Sequence, residues 1–456
     1  MHEMSAFTHL HTSSGFSFKY GTALPEQLVE RTAMQGGTAL ALTDRGSLAG
    51  AISFAKSCEA YGIDPILGIT VSFLQKKNQI TLLAQPGSLD ALYRLVTTIN
   101  LSEEKILTYK ILEQASLYSS RIVALHGSRS QLAEAISARR YEQALSIFHS
   151  THELFAEQYI ECTSHLRSGS ALLSTPYAAR CLGFARDHGL PAVVTNEVRM
   201  LDRSDGPIAD ILDASRQLVP LAAKHVERSN SEAYLKNSEE MRWVADEIAR
   251  VAGERNAKKL LADTADLAHR LRLSPRRDIG IGSIHLPHVS DRSLLEQRTK
   301  AALNRYSGEL SVQAADRLDD ELATVRTLGF EPYFLRVAEV ADMARERGIR
   351  VAARGSAAGS LICYLLGISG VEPLSQGLIM ERFCSTLRAE LPDIDIDVES
   401  DRRLEIYDAI FDRYGFDFGV GGSYLPGANT SCATVAMVER YRSRHAIRDV
   451  GAALGV

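Results

Sequence analysis

The sequence predicts an α/β chain in two parts. The N-terminal half alternates strands and helices and forms a parallel sheet or barrel; the second half is of α+β type. Three observations support this. From residue 38 to a helix starting near 206, short apolar β-type runs alternate with helical patterns. Pro275, Arg276, Arg277 and the glycine-rich run DIGIGS then break the pattern. After the break, long helical patterns lead to one strand in which Asp393, Asp395 and Asp397 alternate with Ile394, Ile396 and Val398. A period of two places the acids on one face and the branched apolar side chains on the other. Aspartates two apart lie roughly 6.5 Å from each other at Cα, so water, cations or basic groups must offset their repulsion. The face is either merely wet or holds a metal.

The elements follow in order. TALALTD (38–44) reads as a strand and LAGAISFAKSCEAYG (48–62) as a helix closed by Gly62. DPILGITVSFL and QITLLAQ read as strands, and LDALYRLVTTIN as a helix with Ser88 at its N-cap. RIVALHG, a long helical stretch and EQYIECTS continue the alternation. A helix near 175–189 leads to the strand PAVVTNEV, and another helix starts near 206. In such units functional residues gather at the carboxyl ends of the strands. Residues 231–275 read as helical and charged. Past the break, Leu318, Leu322, Val325 and Leu328 mark a helix closed by Gly329, and FLRVAEVADMARERG marks another ending at Gly348. The short strand IRVAA then runs into RGSAAGSLICYLLGI and on to the aspartate strand.

At 456 residues the chain exceeds one ordinary domain, and 45% hydrophobic with 23% charged residues supplies ample core material. A net charge of −5 argues against a general polyanion-coating protein but allows a local basic groove. The six cysteines are scattered, with no CxxC pair, which points to reduced thiols in a cytoplasm. The N-terminus has no signal pattern, and the apolar run LICYLLGI falls far short of a membrane span, so no membrane attachment is expected.

Four segments carry chemistry. His9 and His11, two apart on or just after a strand, would point the same way and suit a shared metal; surface histidines at a strand end look the same. Asp44 closes the strand TALALTD, where a barrel places a ligand. In ARGSAAGS, Gly355 lets the backbone approach a phosphate, Ser356 can cap the next helix, that helix's N-terminus adds free N–H groups, and Arg354 adds charge. A small-residue helix packed on a sheet has the same pattern. In ERFCSTLRAE, Arg382 and Arg388 come close to the aspartate strand, as salt-bridged surface residues or as partners of a triphosphate. Carboxylates for Mg²⁺, arginines and a glycine–serine turn together form the set that phosphoryl transfer to a nucleotide requires.

These motifs resemble a known family. RGSAAGS, then GI, ERF, and PDIDID followed by RR resemble the palm of bacterial C-family DNA polymerases, the DNA polymerase III alpha subunits. FTHLHTSSGFSFKYG and ALTDRGSLAGAISFAKSCEAYGIDPILG resemble the polymerase-and-histidinol-phosphatase (PHP) domain with which those enzymes begin. KYG, TDRG and PDIDIDVESDRR are closer to the error-prone, damage-tolerant subgroup. The resemblance implies a PHP-type distorted β/α barrel at 1–270, the first part of a nucleotidyltransferase-like palm at 271–425, and the start of a helical thumb at 426–456. It implies that Asp393 and Asp395 hold two Mg²⁺ ions, with Asp397 supporting them. Arg354, Gly355, Ser356, Arg382 and Arg388 would meet the incoming triphosphate. The implied activity is template-directed DNA synthesis in translesion or repair work, on primer–template DNA with dNTPs. A sliding clamp and other subunits would be engaged through regions this chain lacks.

The departures are equally specific. Positions that hold metal ligands in active PHP domains read here as Tyr20, Arg45, Thr70 and Ser128, and a late aspartate–x–histidine pair reads as Glu197 and Arg199. His9, His11 and Asp44 remain, a set expected not to bind metal. The family's third catalytic aspartate is expected on a palm strand beyond Val456, so the chain is expected to be inactive alone. Arg440, Arg442, Arg444 and Arg448 are candidates for DNA phosphates, and FDFGVGGSYLPGANTSC reads as a loop insertion. The alternatives are a PHP-type metal-dependent phosphoesterase or 3′–5′ exonuclease, and a non-catalytic nucleic-acid-binding module.

Overall fold

In the computed structural model, six strands pair in chain order: β1 (Ala39–Leu42), β2 (Asp64–Phe73), β3 (Gln75–Ala84), β4 (Ile122–His126), β5 (Glu157–Thr163) and β6 (Ala192–Thr195). The structure describes residues 6–114, 121–152, 154–167, 169–223, 230–387, 390–414, 418–419, 423–424, 432, 435 and 441–456. β1 and β4 are buried along their whole length, as strands covered on both faces must be. β1 runs parallel to β2, and β4, β5 and β6 run parallel to one another. β3 is antiparallel to both of its neighbours, so the sheet is mixed where the βα alternation implies parallel pairing. Only Leu74, at φ 60°, separates β2 from β3. A parallel neighbour needs a crossover of a dozen residues or more, and a single residue permits only a reversal.

The segment around His9–Ser13 closes the sheet. His9 and Thr12 accept backbone bonds from Ala41 and Thr43 of the β1 region at 2.9 and 2.8 Å. On its other side, Ser13 N–H donates to Val198 and Val198 N–H donates to His11, at 2.8 and 2.9 Å. This segment therefore joins β1 to the chain just past β6 and completes a distorted barrel.

Helices Ala51–Tyr61, Leu89–Leu101, Thr175–Asp187, Ser238–Val251 and Lys258–Arg270 cover the sheet. Phe54, Leu92, Leu95, Tyr177 and Val244 contribute to its two main cores. Gly62 ends its helix in the left-handed conformation, as expected. Ser88 sits at the N-cap position but does not cap, because its hydroxyl donates to Gln85 O at 2.7 Å. Within the stretch expected to be helical from 231, residues 231–237 are not; Asn237 caps the helix that follows, in a box with Glu240.

The chain divides into two compact units, one of residues 1–282 with 437–456 and one of residues 283–436. In the second, helices Glu309–Leu328 and Glu331–Glu346 pack Leu318, Leu322, Val325, Phe334 and Ala338 into one core. Strand β7 (Val351–Arg354) pairs antiparallel with β8 (Asp395–Val398), setting Arg354 opposite Asp395 and Ala352 opposite Asp397. A five-residue 3₁₀ turn, Gly355–Gly359, and a short helix, Leu361–Leu365, follow β7. Within the expected loop insertion, Phe418–Gly419 pairs with Ser423–Tyr424, and most of the remainder lies outside the described residues. The last helix, Ser443–Leu454, belongs to the N-terminal unit, where Leu221 N–H donates to Ala453 O at 2.8 Å. No helix among the described residues is long and apolar enough to cross a membrane.

Candidate functional site

The alternation read in the sequence sets the geometry of β8. Asp393, Asp395 and Asp397 are exposed, whereas Ile394 packs on the core of the second unit and Val398 packs with Val351 and Ile406. Arg354 crosses from β7 to the acidic face. Its Nε lies 3.1 Å from Asp397 Oδ1, and an Nη lies 3.9 Å from Asp395 Oδ2. Next in sequence, Gly355 takes φ +70°, and no atom lies within 4 Å of where a Cβ would stand. Ser356 is exposed beside it. Arg382 ends the 3₁₀ turn Met380–Arg382 and is exposed; Arg388 and Arg440 lie outside the described residues.

The expectation of a serine-capped helix with free N–H groups is corrected in detail. Ser360, not Ser356, caps the short helix, accepting from Cys363 N at 3.2 Å. The N–H groups of Leu361 and Ile362 are already taken, at 3.0 and 3.1 Å, by the buried carboxylate of Glu321. Ser360 Oγ donates to the same carboxylate at 2.9 Å and Arg317 Nε at 2.8 Å. That helix end is thus filled from within, and only the exposed turn at Gly355 and Ser356 is open to a ligand.

A second polar cluster lies at the carboxyl ends of the barrel strands. His11, Glu161 at the end of β5 and Glu197 just past β6 are buried, with one ligand atom from each within 4.8 Å of the others. His11 Nδ1 lies 3.0 Å from Glu161 Oε1. Burial alone would lower the His11 pKa, but the charge and hydrogen bond of Glu161, with Glu197 behind it, raise it to about 9. Glu197 accepts from Ser128 N at 3.0 Å; burial opposes its ionisation, yet His11 and Ser128 hold its pKa below the usual value. Glu161 was not anticipated. A glutamate inside the apolar run YIEC was the available signal, since a charge there is buried and must be paired.

The other expected residues turn elsewhere. The segment carrying His9 and His11 is not a regular strand, so the two rings do not share a target. His9 Nε2 lies 2.8 Å from Lys236 O, and burial lowers its pKa to about 4. Asp44 accepts from Ser14 N, Ser14 Oγ and Ser17 Oγ at 2.6, 2.8 and 2.7 Å. Tyr20 is packed between two guanidinium groups, with Arg45 3.2 Å and Arg199 4.1 Å from its ring centre. Burial would raise the Tyr20 pKa, but Arg45 and Arg199 hold it below the usual value; burial in turn brings Arg45 down to about 10. Arg199 is fixed by Asp213 at 2.7 Å and by two backbone carbonyls.

Comparison with known proteins accords with both regions. Residues 9–165 match the model of the PHP domain, and residues 292–456 match that of the bacterial DNA polymerase III alpha NTPase domain. Over nearly its whole length the chain is similar to members of the bacterial DNA polymerase III alpha family. It is 32% identical to an error-prone DNA polymerase of Symbiobacterium thermophilum, over 99% of this chain and 41% of that protein. Identity is 28% to an error-prone DNA polymerase of Caulobacter vibrioides, covering 39% of it, and 26% to a DNA polymerase III subunit alpha of Buchnera aphidicola, covering 38%. The chain thus spans about two-fifths of the length of these relatives.

The domains that the chain resembles imply divalent metals, and its two regions fit them differently. Exposed aspartate oxygens on β8 are hard donors open to an ion. In the PHP region, Glu161 engages His11 and Glu197 accepts from Ser128, while Asp44 and His9 are turned away. His11, Glu161 and Glu197 could hold an ion only with His11 deprotonated, and both glutamates raise its pKa.

Proposed function

We propose that the face formed by Asp393, Asp395 and the Arg354–Gly355–Ser356 turn is the nucleotide-handling part of a DNA polymerase palm of the error-prone alpha type. The observation that carries this reading is the pairing of β7 with β8, which brings an open glycine turn and the exposed Asp395, with Asp393 just before it in sequence, to one end of a two-stranded ladder. Asp393 and Asp395 would hold Mg²⁺, which when bound lowers the pKa of a primer 3′-hydroxyl and stabilises charge on departing pyrophosphate. Gly355 lets a phosphate reach the backbone, Ser356 offers a hydroxyl donor, and Arg382 with Arg388 supplies charge. The partners are primer–template DNA and dNTPs, with a sliding clamp and other subunits engaged through parts of the relatives outside the matched region; the compartment is cytoplasmic. The PHP region serves as a structural platform.

Primer extension tests this. We expect synthesis when the remaining part of a relative's polymerase is supplied with the chain, none from the chain alone, and loss of at least 100-fold (about 2.7 kcal/mol) on Asp393→Ala or Asp395→Ala. Extension that survives both substitutions would refute the assignment. The buried His11, Glu161 and Glu197 group favours one competing reading, a metal phosphoesterase. Incubating the whole chain with Mn²⁺ or Zn²⁺ and a 3′-recessed DNA is expected to release no nucleotide; metal-dependent release lost in Glu197→Gln would establish the competitor.

A further inference from the structure

The carboxylates of β8 repel one another, and the chain supplies its own offset. Arg354 is the register partner of Asp395, and its guanidinium spans Asp395 and Asp397 at 3.9 and 3.1 Å. The neighbouring Arg350 does not share this role, being bound to Glu399 at 2.9 Å. We propose that Arg354 is a place-holding cation. It offsets the charge of Asp395 and Asp397 without metal, opposes a divalent ion at Asp395, and on release turns to a phosphate held at Gly355–Ser356. The proposal rests on the reading of Asp393 and Asp395 as metal-binding residues.

Three features fit such a role. The pair is displaceable: the side chains are 65%, 60% and 65% exposed for Arg354, Asp395 and Asp397. Exposed ion pairs of this kind are worth roughly two- to fivefold in an equilibrium constant, which a divalent ion can overcome. The backbone beneath is fixed, because Ala353 is buried and its N–H donates to Ile368 O at 2.8 Å, so exchange needs only a side-chain rotation. The destination is adjacent, because Gly355 follows Arg354 directly and presents open space. One side chain therefore links metal loading to phosphate capture, with release of the first contact freeing the second.

The test is Mn²⁺ titration of the whole chain, followed by the paramagnetic resonance signal of the free ion. Arg354→Ala is expected to tighten Mn²⁺ binding roughly two- to fivefold, less so at high salt. Arg354→Lys, which keeps the charge, should stay near wild type, and Arg354→Gln should tighten binding as alanine does. Equal or weaker binding by both neutral variants, or no binding by any chain, overturns the proposal. If Asp393→Ala/Asp395→Ala binds Mn²⁺ as wild type does, the metal reading itself is lost and the inference with it. Wild-type binding that depends on those aspartates but ignores Arg354 sinks the inference alone.

Discussion

Glu321 accepts from Ser360 Oγ, Leu361 N, Ile362 N and Arg317 Nε while 2% exposed. Removing it leaves the Ser360 hydroxyl and two buried backbone donors without their acceptor and costs the half-buried Arg317 its carboxylate. Glu321→Ala is expected to cost about 3–5 kcal/mol, read as a lower urea midpoint at unchanged slope. The sequence gives little sign of this, because Glu321 meets its partners about 40 residues on, and local spacing cannot show that separation. Glu161 was hidden in the same way, 150 residues from His11. Aspartates two apart, by contrast, declare their shared face in three letters. The buried histidines set a pH profile. His11, raised from 6.5 to about 9, contributes stability that is full below pH 6.5 and lost as pH rises through 9. His9 and His165, lowered to about 4, contribute above pH 6.5 and lose it as pH falls through 4. Melting should therefore peak between these limbs, and His11→Asn should flatten the alkaline limb. An alkaline limb of unchanged steepness in that variant would exclude the His11–Glu161 pair as its cause.

At the scale of the element, the turn after β7 separates two glycines by what surrounds them. A Cβ on Gly355 meets nothing within 4 Å, so Gly355→Ala costs only the left-handed backbone, about 1–2 kcal/mol. A Cβ on Gly359 would lie 2.7 Å from Ile379 O, so Gly359→Ala must move backbone as well. Thermal melts are expected to rank Gly359→Ala as the more damaging, while Gly355→Ala should impair nucleotide binding more than its stability loss explains. Helices were legible wherever apolar residues recur at helical spacing and a left-handed glycine follows, as at Gly62 and Gly329. The direction of β3 was not, because strand patterns carry no polarity and only the one-residue link at Leu74 reveals the reversal. Capping was legible only in part, since the Ser88 hydroxyl had a nearer carbonyl to satisfy.

At the scale of the molecule, the last helix is tied to the first unit through Asp449. Its carboxylate accepts from Ser215 Oγ at 3.0 Å and from Tyr441, pairs with Lys19 at 3.0 Å, and takes Arg448 Nε at 2.9 Å. Hydrogen bonds from Tyr441, Lys19 and Arg448 hold its pKa far below the usual value. Asp449→Ala should speed amide exchange across Ser443–Leu454, and unchanged exchange would show that backbone and apolar contacts suffice. The segment matching a polymerase domain thus begins in one unit and ends in the other, which composition and motif order alone did not indicate. This arrangement bears on the order of events at the ribosome. Lys19 must wait for Asp449, some 430 residues later, and the whole second unit is synthesised in between. The barrel can condense early, but the seat of that helix at Ser215 and Leu221 stays uncovered while residues 283–436 are made.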